Sequence, residues 1–150
     1  MADLNSITHD IIGAAMSIHS ALGPGLLESV YETLLASKLE GMGHHVERQK
    51  EISFLFEGIR FENAFRLDLL VDDSVIVELK STENDNPVYW KQLKTYLVLT
   101  GKSLGLLINF GRGTLMEGVK RIANNYQDQC QGSASSAALR EIDNGVGKDF

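Results

Sequence analysis

Three charged side chains in one short segment have the types and spacing to act together chemically. An acid, Asp68, lies in one extended run, a turn signal follows at 72–74, and the next run ends in Glu78, Leu79 and Lys80. Positions two apart in a β-strand share a face, so Glu78 and Lys80 point the same way. A hairpin across the turn brings Asp68 near Glu78, which predicts two carboxylates and one ammonium on one patch of a sheet. Their apolar neighbours would lie on the opposite face: Leu67, Leu69, Val77 and Leu79.

Such a patch suits a hard divalent cation such as Mg²⁺ or Mn²⁺. Magnesium prefers oxygen ligands in near-octahedral geometry and keeps several waters. Asp68 and Glu78 would supply carboxylate oxygens, with the backbone carbonyl of Leu79 as a third ligand. Lys80 would position a metal-bound water and stabilise charge that develops on a phosphate. The spacing is loose, and a surface ion pair between Glu78 and Lys80 beside a solvated Asp68 explains the same pattern.

The elements that must position these side chains are predicted from the period of the apolar residues. A change from helical spacing to alternation marks the passage from helices to strands. The order ααβββαβ(β) indicates an α/β or α+β domain in which helices flank a mixed sheet. The last stretch, 115–122, fits a strand or a short helix. The other predicted elements are helices over 4–22, 26–39 and 87–100, an antiparallel three-strand meander over 46–56, 61–71 and 75–80, and a strand over 104–110.

Length and composition set the domain organisation. The 150 residues, 43% of them apolar, fit one globular domain and exclude collagen-like and wholly disordered classes. We predict a domain over 1–126 and a flexible tail over 127–150, where Gln, Ser, Ala and Gly dominate. No apolar run has the length of a membrane span, and the first residues lack the features of a secretory signal. We therefore expect a cytosolic protein that does not contact membranes.

The charge is distributed unevenly. The net charge of −6 argues against a protein that coats nucleic acid over its whole surface. Residues 1–86 carry a net −9, whereas residues 87–126 carry a net +5. This asymmetry is compatible with one anion-facing surface on an acidic protein, and also with an ordinary solvated mixture of charges.

Cysteine and histidine offer little chemistry. The single cysteine, Cys130, excludes an intramolecular disulfide and any zinc site built on paired cysteines. His19 lies on the apolar face of the first helical pattern, which predicts a partly buried, hydrogen-bonded histidine. His44 and His45 lie in a turn with no acid at ligand spacing, so we expect both to be solvated.

Two motifs carry a family resemblance. Asp68 followed by Glu78-Leu79-Lys80 resembles the signature of the PD-(D/E)XK nuclease superfamily, and the element order is similar to its restriction-endonuclease-like core. A proline often precedes the first acid in that signature, whereas Leu67 stands there in this chain. The run from Gly25 through Glu28 to Tyr31 fits G-x-x-E-x-x-Y, the motif of the GxxExxY protein family. The resemblance covers residues 8–125 and includes the segments at 19–25, 48–50, 109–111 and 120–122.

The resemblance implies a metal-dependent nuclease that hydrolyses phosphodiester bonds of DNA or RNA. Glu28 would join the catalytic carboxylates and the metal ligands, although an acid in the first turn of a helix also favours the helix dipole. A Gln-x-x-x-Tyr pair, Gln92 and Tyr96, would line the site and support the substrate. Lys91 and Lys94, on the same helix, would bring positive charge to it. An amphipathic helix with a half-buried tyrosine explains the pair without function.

A second interpretation keeps the fold without the enzyme. A non-enzymatic binding module of the same fold would engage nucleic acid or a protein partner, and a homo-oligomer is also open. The acidic stretch over 1–86 suits a protein partner better than DNA. Cleavage assays and Mn²⁺ binding between Asp68 and Glu78 would separate the two interpretations.

Overall fold

The computed structural model describes residues 3–124, so the predicted tail over 127–150 lies outside the described residues. The predicted α/β class with a mixed, helix-flanked sheet is confirmed. The stretch predicted as a strand or a short helix contains both, since a 3₁₀ turn at Met116–Gly118 precedes the last strand. The helices are α1 (Leu4–Leu22), α2 (Glu28–Gly41) and α3 (Pro87–Thr100), and the strands are β1 (Val46–Phe56), β2 (Ile59–Val71), β3 (Val75–Lys80), β4 (Leu104–Asn109) and β5 (Val119–Ala123).

The five strands form one sheet in chain order. The pairs β1–β2, β2–β3 and β4–β5 are antiparallel, whereas β3 and β4 are parallel. Parallel neighbours need a crossover connection, and α3 supplies it. Every residue of β4 and all of β3 except Lys80 are buried, as expected for central strands covered on both faces. Within residues 3–124 no helix combines the length and apolar character needed to cross a bilayer.

Helices cover both faces of the sheet. The apolar faces of α1 and α2 pack against one side, and α3 packs against the other through Leu93 and Leu97. Asn86 caps α3, because its side chain accepts a hydrogen bond from the Val88 N–H, and Pro87 fits the first turn, where its missing donor costs nothing.

The predicted alternation along β2 fails at Leu67. Leu69 packs with α1 and α2 as expected, but Leu67 packs with Ile52 and Leu93 on the side of α3. The ladder between β2 and β3 ends at Leu69, whereas β1 pairs with both Leu67 and Leu69. Leu67 and Leu69 lie on opposite sides although they are two residues apart.

The prediction that His44 is solvated is wrong. Its side chain is only 9% exposed, and its two ring nitrogens lie 2.5 Å from Asp72 Oδ2 and 2.8 Å from Asp10 Oδ2. The β2–β3 turn and α1, both distant in sequence, bring these acids to the histidine. His45 is 73% exposed, as expected.

We expect His44→Gln to destabilise the protein in a pH-dependent way. The hydrogen bond to Asp72, opposed by burial and assisted by Asp10, raises the pKa of His44 above 6.5. The stability contributed by charged His44 is therefore full below pH 6.5 and is lost as the pH rises through the raised pKa. Urea unfolding should show a loss of about 1–3 kcal/mol at pH 6 and a smaller loss at pH 9. His45→Gln is the control, and an equal loss at both pH values would contradict the charged pair.

Close backbone contact fixes the loop that follows Lys80. Buried Asn109 accepts hydrogen bonds from the Thr82 N–H (3.1 Å) and the Gly111 N–H (2.9 Å), and it donates to Asp85 (3.1 Å). A Cβ on Gly111 would lie 2.2 Å from the Thr82 carbonyl oxygen. A glycine is therefore required where β4 ends beside the loop.

Gly111→Ala should destabilise the domain by about 1–3 kcal/mol, because backbone must move to admit the methyl group. Gly113→Ala is the matched control, since nothing lies within 4 Å of a Cβ built there. Chemical unfolding of both variants measures the difference. Equal stability of the two variants would show that the loop yields without cost.

Candidate active site

The two signature acids lie where β2 and β3 separate. The last ladder pair is Leu69 and Val77, so Asp68 and Glu78 are the next residues on the two strands. Their carboxylates replace the missing ladder bonds. The Leu79 N–H donates to Asp68 Oδ2 (2.9 Å), and the Asp68 N–H donates to Glu78 Oε1 (3.2 Å). Each acid is thus held in place by a backbone donor of the neighbouring strand.

We call the point where β2 and β3 separate at Asp68 and Glu78 the fork. The electrostatics of the fork favour binding of a cation. Glu78 is 6% exposed, and burial together with the charge of Asp68 raises the pKa of Glu78 to about 8. Burial also raises the pKa of Asp68, although the Leu79 N–H opposes the shift. Lys80 favours the charged forms of both acids without cancelling the effect. Two neighbouring carboxyls, one buried and one partly buried, resist joint ionisation unless additional positive charge arrives.

Helix α2 approaches the fork with two acids. Glu28 opens the helix, and its charge interacts with those of Lys80 and Asp68, while burial raises the pKa of Glu28. Glu32 lies one turn further on and is buried, with Oε2 accepting from Arg48 Nη2 (3.0 Å). Positions four apart share a helix face, so both acids face the same way.

Tyr31 has a structural position rather than one at the fork. Its hydroxyl donates to the Gly23 carbonyl (2.6 Å) and accepts from the Leu26 N–H (3.2 Å), which ties the Gly-Pro-Gly turn to α2. Its buried ring stacks on Phe110 with centroids 4.3 Å apart. The tyrosine thereby fixes the start of the helix that carries Glu28.

Helix α3 approaches the fork from the other side. Burial, followed by the charges of Glu78 and Asp68, raises the pKa of Tyr96. Its ring stacks on Phe65 with centroids 4.2 Å apart, and Gln92, one turn earlier on α3, opposes the rise in pKa. Tyr96 is thus within electrostatic range of the two acids, whereas Gln92 is exposed.

The other two predicted substrate contacts lie elsewhere on α3. Lys91 is exposed, and its Nζ lies 5.8 Å from the centre of the Trp90 ring. Lys94 Nζ donates to the Ala123 carbonyl of β5 (2.7 Å). The structure does not bring these lysines together with the acids, and their contact with a substrate stays a prediction.

Three further residues belong to the site and were not predicted. Tyr89 lies beneath Lys80, with Nζ 4.8 Å from the ring centre, and its position seven before Tyr96 could have indicated a shared helix face. Glu32 lies four residues after Glu28, and this spacing could likewise have indicated a shared helix face. Gln49 lies in the segment 48–50 that carries the family resemblance, but its contact with Asp68 was not predictable from spacing, because that contact depends on an unusual backbone angle in β1.

The comparison with known families agrees with this geometry. A family model described as the PD-(D/E)XK nuclease superfamily matches residues 5–122, which begin within α1 and end within β5. The chain belongs to the PD-(D/E)XK nuclease superfamily. The sheet of five strands with three helices is consistent with the restriction-endonuclease-like fold of these nucleases. No curated protein and no solved structure matches the chain.

The donor set at the fork fits the divalent metal that PD-(D/E)XK nucleases typically use. Asp68 and Glu78 offer hard carboxylate oxygens. The Leu79 N–H points to the β2 edge, and the carbonyl of the same strand residue points to that edge too. Among residues 3–124 no three His, Cys, Asp or Glu side chains converge as a metal-binding group. Two carboxylates with backbone and water ligands therefore describe the available site, and Glu28 faces it from α2.

Proposed function

We propose that this protein is a metal-dependent nuclease that hydrolyses phosphodiester bonds of DNA or RNA with Mg²⁺ or Mn²⁺. The observation that carries the proposal is the fork, where Asp68 and Glu78 are held by backbone donors within one site and Lys80 follows two residues later. Membership of the superfamily supports nuclease-like activity in general.

Each side chain has a role in this proposal. Asp68 and Glu78 would hold the cation, with the Leu79 carbonyl and Glu28 as further oxygen donors. The bound metal supplies a Lewis acid for the phosphate and lowers the pKa of a water ligand. Lys80, whose ammonium rests over the Tyr89 ring, would bind the phosphate oxygen on which negative charge develops.

Helix α3 would hold the substrate. The hydroxyl of Tyr96, whose pKa responds to the charges of both acids, and the amide of Gln92 would hydrogen-bond to a phosphate or to a catalytic carboxylate. Lys91 and Lys94 would contact the nucleic acid further along the helix and attract it through its phosphates.

Within the superfamily, we place the chain in the GxxExxY family. The support is the run from Gly25 to Tyr31. The glutamate of that motif, Glu28, interacts with the charge of Asp68, and the tyrosine holds the preceding turn through its bond to Gly23. The spacing of the motif therefore joins one residue that faces the fork to one that fixes the helix start.

A non-enzymatic binding module remains the competing function, on one observation. Residues 1–86 carry a net −9, which suits a protein partner better than nucleic acid. A protein partner, a homo-oligomer and a cytosolic location all stay predictions.

The decisive experiment combines cleavage and metal binding. Wild-type protein and Asp68→Asn are incubated with single- and double-stranded DNA and RNA in Mg²⁺, Mn²⁺ or EDTA. We expect cleavage by the wild type with metal only, and none by the variant, since it lacks a ligand charge. If the wild type cleaves no substrate with any metal and binds no Mn²⁺, the proposed enzymatic function is rejected. The fold assignment is unaffected by that result.

A further inference from the structure

Gln49 has an unusual backbone conformation opposite the first acid. It lies in β1 between the ladder pairs Arg48–Leu69 and Lys50–Leu67, which places it across from Asp68. Its φ is +49°, in the left-handed region that L-residues other than glycine rarely adopt. A non-glycine residue in this region is retained only where its surroundings fix it.

This backbone turn directs two neighbouring side chains to one acceptor. Consecutive residues of a strand normally point to opposite faces. Here the side chains of Arg48 and Gln49 both reach the carboxylate of Glu32, one to each oxygen. The left-handed φ of Gln49 is the feature that breaks the alternation. The result is a bridge between α2 and the β1–β2 ladder.

The amide of Gln49 then connects this bridge to the fork. Its Nε2 lies 2.5 Å from Glu32 Oε1 and 3.3 Å from Asp68 Oδ1. The other oxygen of Asp68, Oδ2, accepts from the Leu79 N–H at 2.9 Å. Both oxygens of Asp68 thus have a donor. Glu32 is held in turn by Arg48, whose Nη2 also donates to Thr33 Oγ1 at 2.9 Å.

We propose that Gln49 is a positioning residue for Asp68, whose amide bridges Glu32 and Asp68 and thereby sets the orientation of the Asp68 carboxylate for cation binding. The inference rests on the proposed function, because the orientation matters to chemistry only if Asp68 binds a metal. Partners that orient metal ligands in this way typically contribute 10- to 100-fold to metal affinity.

The chemistry of the amide suits this position. It has two N–H donors, one for each neighbouring carboxylate. It is neutral, so it holds Asp68 without competing with a cation for the negative charge. A lysine would form an ion pair with both acids, and a glutamate would repel them. Glutamine therefore fixes two carboxylates and keeps their charge available to the metal.

Gln49→Gly distinguishes the effect of the side-chain amide from the effect of the unusual backbone conformation. Glycine adopts a positive φ readily, so this variant relieves the strain while it removes the bridge. Asn63→Gly is the matched control, since Asn63 lies in β2 at φ +47° and its backbone N–H, which the variant keeps, donates to Ser53 Oγ at 2.9 Å. Mn²⁺ affinity is measured by calorimetry and by electron paramagnetic resonance of the bound ion. Thermal unfolding in EDTA reports the fold.

We expect Gln49→Gly to weaken Mn²⁺ binding about 10-fold or more and to change the resonance of bound Mn²⁺, with no fall in Tm. Asn63→Gly should bind Mn²⁺ like the wild type. Gln49→Met, which keeps the length of the side chain and loses its donor without adding charge, should weaken binding to a similar extent. Where Gln49→Gly lowers the Tm, the comparison rests on Gln49→Met.

Three results would overturn the inference. Equal Mn²⁺ affinity of wild type, Gln49→Gly and Gln49→Met removes the positioning role and leaves the proposed nuclease function intact. If Asn63→Gly also weakens Mn²⁺ binding, the loss of affinity is due to increased flexibility of the β1–β2 ladder and not to loss of the Gln49 amide. If the wild type binds no Mn²⁺, both the proposed function and this inference are rejected. Equal affinity of the wild type and the Gln49 variants, in contrast, rejects the inference alone.

Discussion

Lys80→Ala should reduce nucleic acid cleavage by about 100-fold or more while leaving Mn²⁺ affinity and Tm close to those of the wild type. The ammonium lies two residues after Glu78 and rests over the Tyr89 ring. It is a donor positioned for charge that develops on the phosphate, and loss of one such donor typically costs about 10²–10³ in kcat. Its contribution to folding is small, since the side chain is partly exposed and charge interactions of exposed side chains are worth about 0–1 kcal/mol.

Two further variants serve as comparisons for Lys80→Ala. Asp68→Asn should lose both Mn²⁺ affinity and cleavage, because it removes a ligand charge. Lys38→Ala, at an exposed lysine in the last turn of α2, should change neither. Single-turnover cleavage rates and Mn²⁺ titrations distinguish the three. If Lys80→Ala cleaves like Lys38→Ala, the ammonium has no part in the reaction.

Glu78→Gln should stabilise the metal-free protein at pH 8 and abolish tight Mn²⁺ binding. In the wild type, burial and the charge of Asp68 raise the pKa of Glu78 from 4.5 to about 8. The native protein therefore binds a proton that the unfolded chain releases, and the associated stability, full below pH 4.5, is lost as the pH rises to about 8. Glutamine never ionises and keeps the acceptor for the Asp68 N–H, so the variant avoids this loss.

The expected size of the stabilisation is large enough to measure. One pKa unit corresponds to about 1.4 kcal/mol, and 1 kcal/mol moves the Tm of a domain of this size by about 4 °C. A rise in Tm of about 5 °C or more at pH 8 in EDTA should fall towards zero at pH 4.5. Glu40→Gln, at an exposed position of α2, is the control. A Tm difference that does not depend on pH would contradict the buried, shifted carboxyl.

The order of elements was predictable because its signals are local. Helical spacing of apolar residues over 4–22, a Gly-Pro-Gly break and alternation from 46 onward each depend on a few neighbouring residues. The predicted first helix and third helix agree with α1 and α3 in both bounds. The side of the sheet on which Leu67 packs was not predictable in this way, because it depends on contacts with β1 and α3, which are distant in sequence.

In the candidate site, too, the features that depend on local sequence were predictable and those that depend on tertiary packing were not. The sequence by itself determined that Asp68 and Glu78 are hairpin partners, with Lys80 close behind, because a tight turn and a two-residue period leave little freedom to a short segment. Only the tertiary structure decided which groups surround them. Gln49 reaches Asp68 through a left-handed φ, and His44 meets acids from α1 and the β2–β3 turn. Such contacts arise from the packing of elements far apart in the chain, and residue spacing carries no record of that packing.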